Sequence, residues 1–243
     1  MYSICILFYN EYPTIVNFAL RVNKFMGEVL GGNYEIILID DCSTDLPEDE
    51  LLKNILGSKI RIVHHKRNLG YAFATRSAIE ESVGEHIIIL DGDGEYPEEN
   101  IQKFIAEISP NVSLMLPLRS SRHKNWKRRI ASRLLTMLCR LLLQYPEKDI
   151  NGGAKYINSN FKSHFKIEYG LNLVNPELWS IAHRNNLIVK FIKVNFVENS
   201  DNRESKVLKK PHKLAFIILV YILRLKNYYN KHDLKIKNLT FLV

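Results

Sequence analysis

Cysteine is scarce in this sequence: three in 243 residues, at positions 5, 42 and 139, with no Cys-x-x-Cys and no Cys/His group. That excludes a disulfide frame and a zinc site, and the expectation is of reduced thiols in a cytosolic chain. The opening MYSICILFYNE has neither a basic leader nor a long apolar run, so no signal peptide is expected. A bilayer span needs roughly 20 apolar residues. The ten from Leu214 to Leu223, fenced by Lys213 and Arg224, fall short of it. Internal repeats and low-complexity tracts are also absent.

Charge is present but uneven. The formal net charge is +8, yet residues 119–140 carry eight Lys/Arg and no acid, and residues 201–243 carry ten against three. The remainder is net acidic, so the basicity belongs to two segments and points to an anionic partner. Both segments read as basic helices with an apolar face, over 125–145 and 211–231, of the kind that lies in a membrane interface. Few aromatics interleave with the basic residues and no nucleic-acid module is recognisable, so nucleic acid is not the expected partner.

Upstream, short apolar runs rich in β-branched residues predict strands at 3–9, 34–40, 60–65, 86–90 and 112–118. Amphipathic stretches at 13–29, 47–56, 70–83 and 97–108 predict helices between them. Such alternation implies an α/β fold with a mostly parallel sheet covered on both faces. In an open sheet of this type, ligands sit beyond the carboxyl ends of the strands. The residues that follow the strands are Asn10-Glu11, Asp40-Asp41, Asn68-Leu69-Gly70 and Asp91-x-Asp93-x-Glu95.

Acids and amides therefore gather on one edge. Crowded carboxylates repel unless a cation or a proton intervenes, and a hard divalent cation held there binds substrate phosphates. An EF-hand loop fails, because it needs Gly and Glu where Tyr96 and Gln102 stand. A haloacid-dehalogenase-type phosphatase needs Thr or Val in place of Glu95. The histidines at 64, 65 and 86 flank strands and read as structural.

The segments SICILFYNE, YEIILIDDCSTD, HHKRNLGYAFATRSAIEESVGEHIIILDGDGEYPEENI and NWKRRIASRLL, in that order, resemble the family 2 glycosyltransferases. Within them they are most similar to the dolichyl- or polyprenyl-phosphate sugar synthase branch. The resemblance implies a GT-A (Rossmann-like) domain over 1–207, followed by a basic amphipathic segment over 208–243. It implies transfer of a sugar, with inversion, from a nucleotide-diphospho-sugar to a membrane-associated acceptor. That acceptor is expected to be a lipid phosphate, or alternatively a glycan hydroxyl. It also implies Mg²⁺ or Mn²⁺ as cofactor and a cytoplasmic, peripheral place at the inner membrane face.

Residue roles follow from the same resemblance. Asp91, Asp93 and Glu95 stand at the metal-binding positions, with Glu95 in place of the branch's Gln. Tyr9, Asn10, Glu11, Asp40, Asp41, Arg67, Gly70, Asp91 and Ser132 match nucleotide-sugar-binding positions. Arg119 and Arg129 match arginines that face phosphate. Asp149 and Glu177 match acceptor-side acids. NRESK (202–206) echoes a further basic motif but lacks its glycine, so Arg203 and Lys206 carry less weight. A QxxRW motif of processive polysaccharide synthases is absent, which argues against polymerisation. An inactive sugar-nucleotide-binding scaffold has no need of the acids.

Overall fold

The structure, a computed structural model, describes residues 1–119, 126–147, 149–150, 152–164 and 173–197, together with single positions at 220, 223 and 227. Side chains at 50, 53, 126–129 and 131 lie outside that description. The chain divides into two compact units, Met1–Arg122 with Asn151–Asn199, and His123–Ile150 with Ser200–Val243.

The first unit is built on a seven-stranded sheet. Its strands are β1 (Tyr2–Phe8), β2 (Tyr34–Asp40), β3 (Ile60–His64), β4 (His86–Asp91), β5 (Val112–Arg119), β6 (Lys155–Asn158) and β7 (Ile188–Val194). The spatial order is β3-β2-β1-β4-β6-β5-β7. All neighbouring pairs are parallel except those of β6, which runs antiparallel to both β4 and β5. Helices α1 (Thr14–Leu30), α2 (Asp49–Leu56), α3 (Tyr71–Glu81) and α4 (Glu99–Glu107) connect the first five strands. A short 3-10 helix (Ser159–His164) and, later in the chain, α6 (Val174–Arg184) lie between β6 and β7.

The uninterrupted apolar runs have the cause expected of parallel strands: both faces are covered. Ile4, Ile6, Ile36, Leu38, Ile88 and Leu90 pack in one core with Phe18, Val22, Met26 and Phe104 of the helices. Each such side chain contributes about 1.5–3 kcal/mol on burial. The core fixes strand register: Phe8 of β1 pairs with Asp40 of β2, and Leu7 pairs with Asp91 of β4. The apolar residues sit in the sheet, and the acids that follow them emerge together at its carboxyl edge.

Strands β1, β2 and β3 step one way across the sheet, and β4 returns to the other side of β1. In open α/β sheets the crevice that takes a ligand lies at such a reversal, outside the strand ends. Beyond β7 the chain is tied to α4 and to the turn after β4. The Asn100 side chain donates to the carbonyl of Asn195 at 2.9 Å and accepts its N–H at 2.8 Å. The Val197 N–H donates to the Glu95 carbonyl at 2.9 Å.

In the second unit, α5 (Trp126–Leu143) is the described element. Its Cys139 is buried, while Ile130, Leu134, Met137 and Leu141 are exposed at spacings of four, three and four. The expected helix at 211–231 lies outside the described residues apart from positions 220, 223 and 227, which are helical. Among the described residues no helix is long and apolar enough to cross a membrane.

Candidate functional site

At the end of β2, Asp40 and Asp41 are 2% and 5% exposed, and both carboxylates are engaged internally. Asp40 accepts the Ser43 N–H on Oδ1 at 2.8 Å and His64 Nδ1 on Oδ2 at 2.8 Å. Asp41 accepts His65 Nδ1 and the Leu69 N–H on Oδ1, both at 2.8 Å, and the Gly70 N–H on Oδ2 at 2.7 Å. With Nδ1 donating, a neutral His65 ring accepts at Nε2, where Ser77 Oγ stands 2.8 Å away. Gly70 has φ of 88°, a conformation that only glycine adopts cheaply. Asp41 thereby holds the turn into α3.

The end of β1 is locked to the same region. Asn10, with φ of 55°, donates its N–H to Ser43 Oγ at 2.9 Å and accepts the Thr44 N–H on Oδ1 at 2.8 Å. Tyr9 is exposed beside it and Glu11 is half-buried. Arg67 is exposed in the turn that Asp41 holds.

The end of β4 differs. The Gly92 N–H donates to the Leu7 carbonyl at 2.8 Å, Gly94 takes φ of 75°, and the Glu95 N–H donates to Asp93 Oδ1 at 3.0 Å. Lost hydration, followed by the nearby charge of Asp91, pushes Asp93 up to about 8, with Glu95 and Glu11 adding to the shift. Burial raises Asp91 as well, opposed by Lys155, Tyr71 and Arg119. Among the described residues no donor reaches the buried Asp91 Oδ1. A Cβ on Gly153 would fall 1.7 Å from Asp91 Oδ2, so the neighbouring chain approaches this carboxylate as only glycine can.

Lys155 and Tyr71 escaped the sequence reading. Lys155 lies in a four-residue strand behind two glycines, and nothing in the pattern marks a lysine as buried. Tyr71 is the first residue of an ordinary amphipathic helix. Arg119 ends β5, its guanidinium 5.3 Å from the centre of the Phe196 ring, and its charge acts on Asp91. The carboxyl edge of the first unit thus brings together Asn10, Glu11, Asp40, Asp41 and Gly70 around β1 and β2, and Asp91, Asp93, Glu95 and Arg119 around β4 and β5.

Glu177, in the first turn of α6, is 1% exposed. Ser132 and Asp149 belong to the second unit. There the Ser132 carbonyl accepts Thr136 Oγ1 at 2.7 Å, and the Asp149 carbonyl accepts the Tyr145 hydroxyl at 3.1 Å. The side chain of Arg129, and all of Arg203 and Lys206, lie outside the described residues.

The profile of glycosyl transferase family 2 matches residues 3–165. The chain belongs to that family. Two curated relatives are undecaprenyl-phosphate 4-deoxy-4-formamido-L-arabinose transferases. The one from Enterobacter sp. (strain 638) is 32% identical over 139 residues, 56% of this chain and 42% of the relative. The one from Aeromonas hydrophila subsp. hydrophila is 32% identical over 136 residues, covering 55% and 41%. The matched region thus spans about two-fifths of either relative, and their names fall in the branch that the motifs resemble.

Among solved family-like folds, glucosyl-3-phosphoglycerate synthase from Mycobacterium tuberculosis in complex with UDP superposes with a TM-score of 0.67 at 15% identity. The match covers 93% of this chain and 80% of that one. Mannosyl-3-phosphoglycerate synthase from Rubrobacter xylanophilus gives 0.71 at 11% identity, covering 96% and 75%. These likenesses establish the GT-A type of fold. The mycobacterial enzyme has also been solved with Mn²⁺, UDP and glucosyl-3-phosphoglycerate.

The acids of this family 2 chain fit a cation in one way and not in another. Among the described residues no group of three or more His, Cys, Asp or Glu is gathered to hold a metal alone. Mg²⁺ is commonly bound by one or two carboxylates plus substrate phosphates. The sealed Asp91 Oδ1 and the crowded Asp93 suit that second arrangement.

Proposed function

We propose that this chain transfers a sugar from a nucleotide-diphospho-sugar to polyprenyl phosphate at a membrane surface, with inversion and with Mg²⁺ or Mn²⁺. The observation that carries the reading is the acidic turn Asp91-Gly92-Asp93-Gly94-Glu95, delivered by β4 to the strand-order reversal. A core has no use for three acids there, whereas a divalent cation bound together with a diphosphate would have one. The names of the two curated relatives support the acceptor.

In this reading Asp93, with Asp91 and Glu95 beside it, holds the metal. When bound, the metal offsets charge on the departing diphosphate. Arg119 and Arg129 keep the phosphate-side roles that the motif resemblance implies, since fixed positive charge aimed at a leaving group lowers the barrier. Tyr9, Asn10, Glu11, Asp40, Asp41, Arg67 and Gly70 form the nucleotide side in the first unit, and Ser132 keeps the nucleotide role that the motif resemblance implies. The internal bonds of Asp40 and Asp41 make them walls of that side, shaping its backbone more than reaching out of it. Alignment of donor and acceptor supplies much of the remaining acceleration.

A lipid phosphate is already an anion and needs no general base. A sugar hydroxyl needs one within hydrogen-bond reach, and the burial of Glu177 leaves the half-buried Asp149 as the more accessible of the two candidates. The exposed stripe Ile130, Leu134, Met137 and Leu141 on α5, with exposed Arg133 and Arg140 on the same face, has the pattern of a helix seated in an anionic bilayer interface. This supports a peripheral place at the inner face of a membrane.

The test is thermal-shift titration with UDP- and GDP-linked sugars, with and without Mn²⁺, followed by transfer to polyprenyl phosphate with no sugar acceptor present. A ligand bound only to the folded state raises the apparent Tm. A metal-dependent shift and product on the lipid alone establish the reading. Product only when a sugar hydroxyl is supplied replaces the acceptor, and binding without any transfer reduces the chain to a scaffold.

A further inference from the structure

Lys155 is a cation shut inside the fold, 0% exposed, at the first position of β6. A buried ammonium costs several kcal/mol of lost hydration unless opposite charge and good hydrogen bonds offset it. Its Nζ donates to the Tyr71 hydroxyl at 2.7 Å and to the Gly153 carbonyl at 2.6 Å, and lies 4.9 Å from the centre of the Tyr71 ring. The Tyr71 hydroxyl donates to the same Gly153 carbonyl at 3.3 Å, and Gly153 is pressed against the carboxylate of Asp91, the acid whose charge acts on Lys155.

Burial, then the charge of Asp91, raises the Tyr71 hydroxyl well above the usual tyrosine range, so it remains protonated and able to donate. Tyr71 also follows Gly70 directly, and the Gly70 N–H is bonded to Asp41. Through Gly153 on one side and the Gly70 peptide on the other, Tyr71 therefore stands between the acid that ends β4 and the acid that follows β2.

We propose that Tyr71 and Lys155 are positioning residues that set the acidic turn at a fixed distance from the nucleotide side of the strand ends, with Lys155 holding the Gly153 peptide against Asp91 and Tyr71 joining the two halves. The inference rests on the donor-binding reading above. Neither residue touches the donor; each acts on Asp91 through Gly153, in the supporting place of the outer partners of metal-binding carboxylates, whose loss typically costs 10–100-fold in metal affinity.

The experiment is calorimetric titration of the full chain with UDP and with GDP, each with and without Mn²⁺, for wild type, Tyr71→Phe, Lys155→Met and the double variant. For the nucleotide that wild type binds, the expected result is a loss of about tenfold or more in the Mn²⁺-dependent part of the affinity in each single variant. The double variant is expected to be no worse than the weaker single one. The Mn²⁺-free affinity of Tyr71→Phe is expected to stay near wild type, while its Tm falls only by the few degrees that the loss of one acceptor for Lys155 costs.

Wild-type Mn²⁺ dependence in Tyr71→Phe overturns the proposal. So does an equal loss with and without Mn²⁺ that tracks a fall in Tm, since that marks a structural role only. If Lys155→Met fails to fold, Tyr71→Phe decides alone. Wild type that binds neither nucleotide overturns the donor reading itself, and this inference with it.

Discussion

Two pairs of acids end neighbouring regions of one sheet, and the protein treats them in opposite ways. After β2, Asp40 and Asp41 accept five hydrogen bonds of 2.7–2.8 Å from backbone and histidine donors. After β4, Asp91 keeps an oxygen without a donor among the described residues, and Asp93 is pushed up to about 8. The first pair is satisfied by the fold and acts as architecture. The second is crowded against like charge, a state that a cation relieves. Acid content does not distinguish a binding edge from a wall; the remaining hydrogen-bond capacity does.

The largest expected effect breaks the comparison at β4. Asp93→Ala is expected to lower sugar transfer by at least about 10²-fold, the scale of losing one electrostatic contact to a developing charge, as read by product formation on polyprenyl phosphate. Next is Asp41→Ala, which leaves the N–H groups of Leu69 and Gly70 without their acceptor. These half-buried donors cost up to about 1–3 kcal/mol each when orphaned, so Tm should fall by several degrees, whereas Asp93→Asn should not lower it.

The acidic turn also sets a pH dependence that the β2 acids do not share. The folded chain keeps a proton on Asp93 that the unfolded chain loses near 3.8. Metal-free stability from this group is full below that value and is lost as the pH rises toward about 8. Asp93→Asn should therefore raise the metal-free Tm at pH 8, by about 2–4 °C per kcal/mol regained. Saturating Mn²⁺ with nucleotide should flatten the wild-type slope of Tm against pH. The smallest effect is expected of Glu95→Gln, which removes one of the charges that raise Asp93 while keeping an oxygen ligand; a modest increase in the Mn²⁺ needed for half-maximal transfer would register it.

Much of this was legible in the sequence. The runs of Ile, Leu and Val that predict β1 to β5 end within two residues of the observed strands, because a strand buried on both faces has no option but continuous apolar sequence. The acids were legible for the complementary reason: charged residues directly after such runs must lie at the sheet edge. Strand β6 was not legible. Lys155-Tyr156-Ile157-Asn158 is short, begins with a charge and follows two glycines, and only the antiparallel pairing with β4 and β5 makes it a strand. The same pairing buries Lys155 beside Tyr71 and the Gly153 carbonyl, so the hidden cation was lost with the strand. The division between Asp40-Asp41 and Asp91-Asp93 was also out of reach, since it depends on His64, His65 and the turn at Gly70 coming within 3 Å of the acids.

That antiparallel strand has a consequence for how the fold can vary. Strands β5 and β6 are hydrogen-bonded neighbours, and Gly152 at the approach to β6 lies against Pro117 of β5. The segment that leaves the sheet after Arg119 therefore returns to the strand next door, as the loop of a hairpin does, even though it contains the whole of α5. Closing a longer loop adds only about 0.6 kcal/mol per doubling of its length. An excursion rooted this way can be lengthened, shortened or exchanged at small thermodynamic expense, leaving the strand pairing beneath the acids intact.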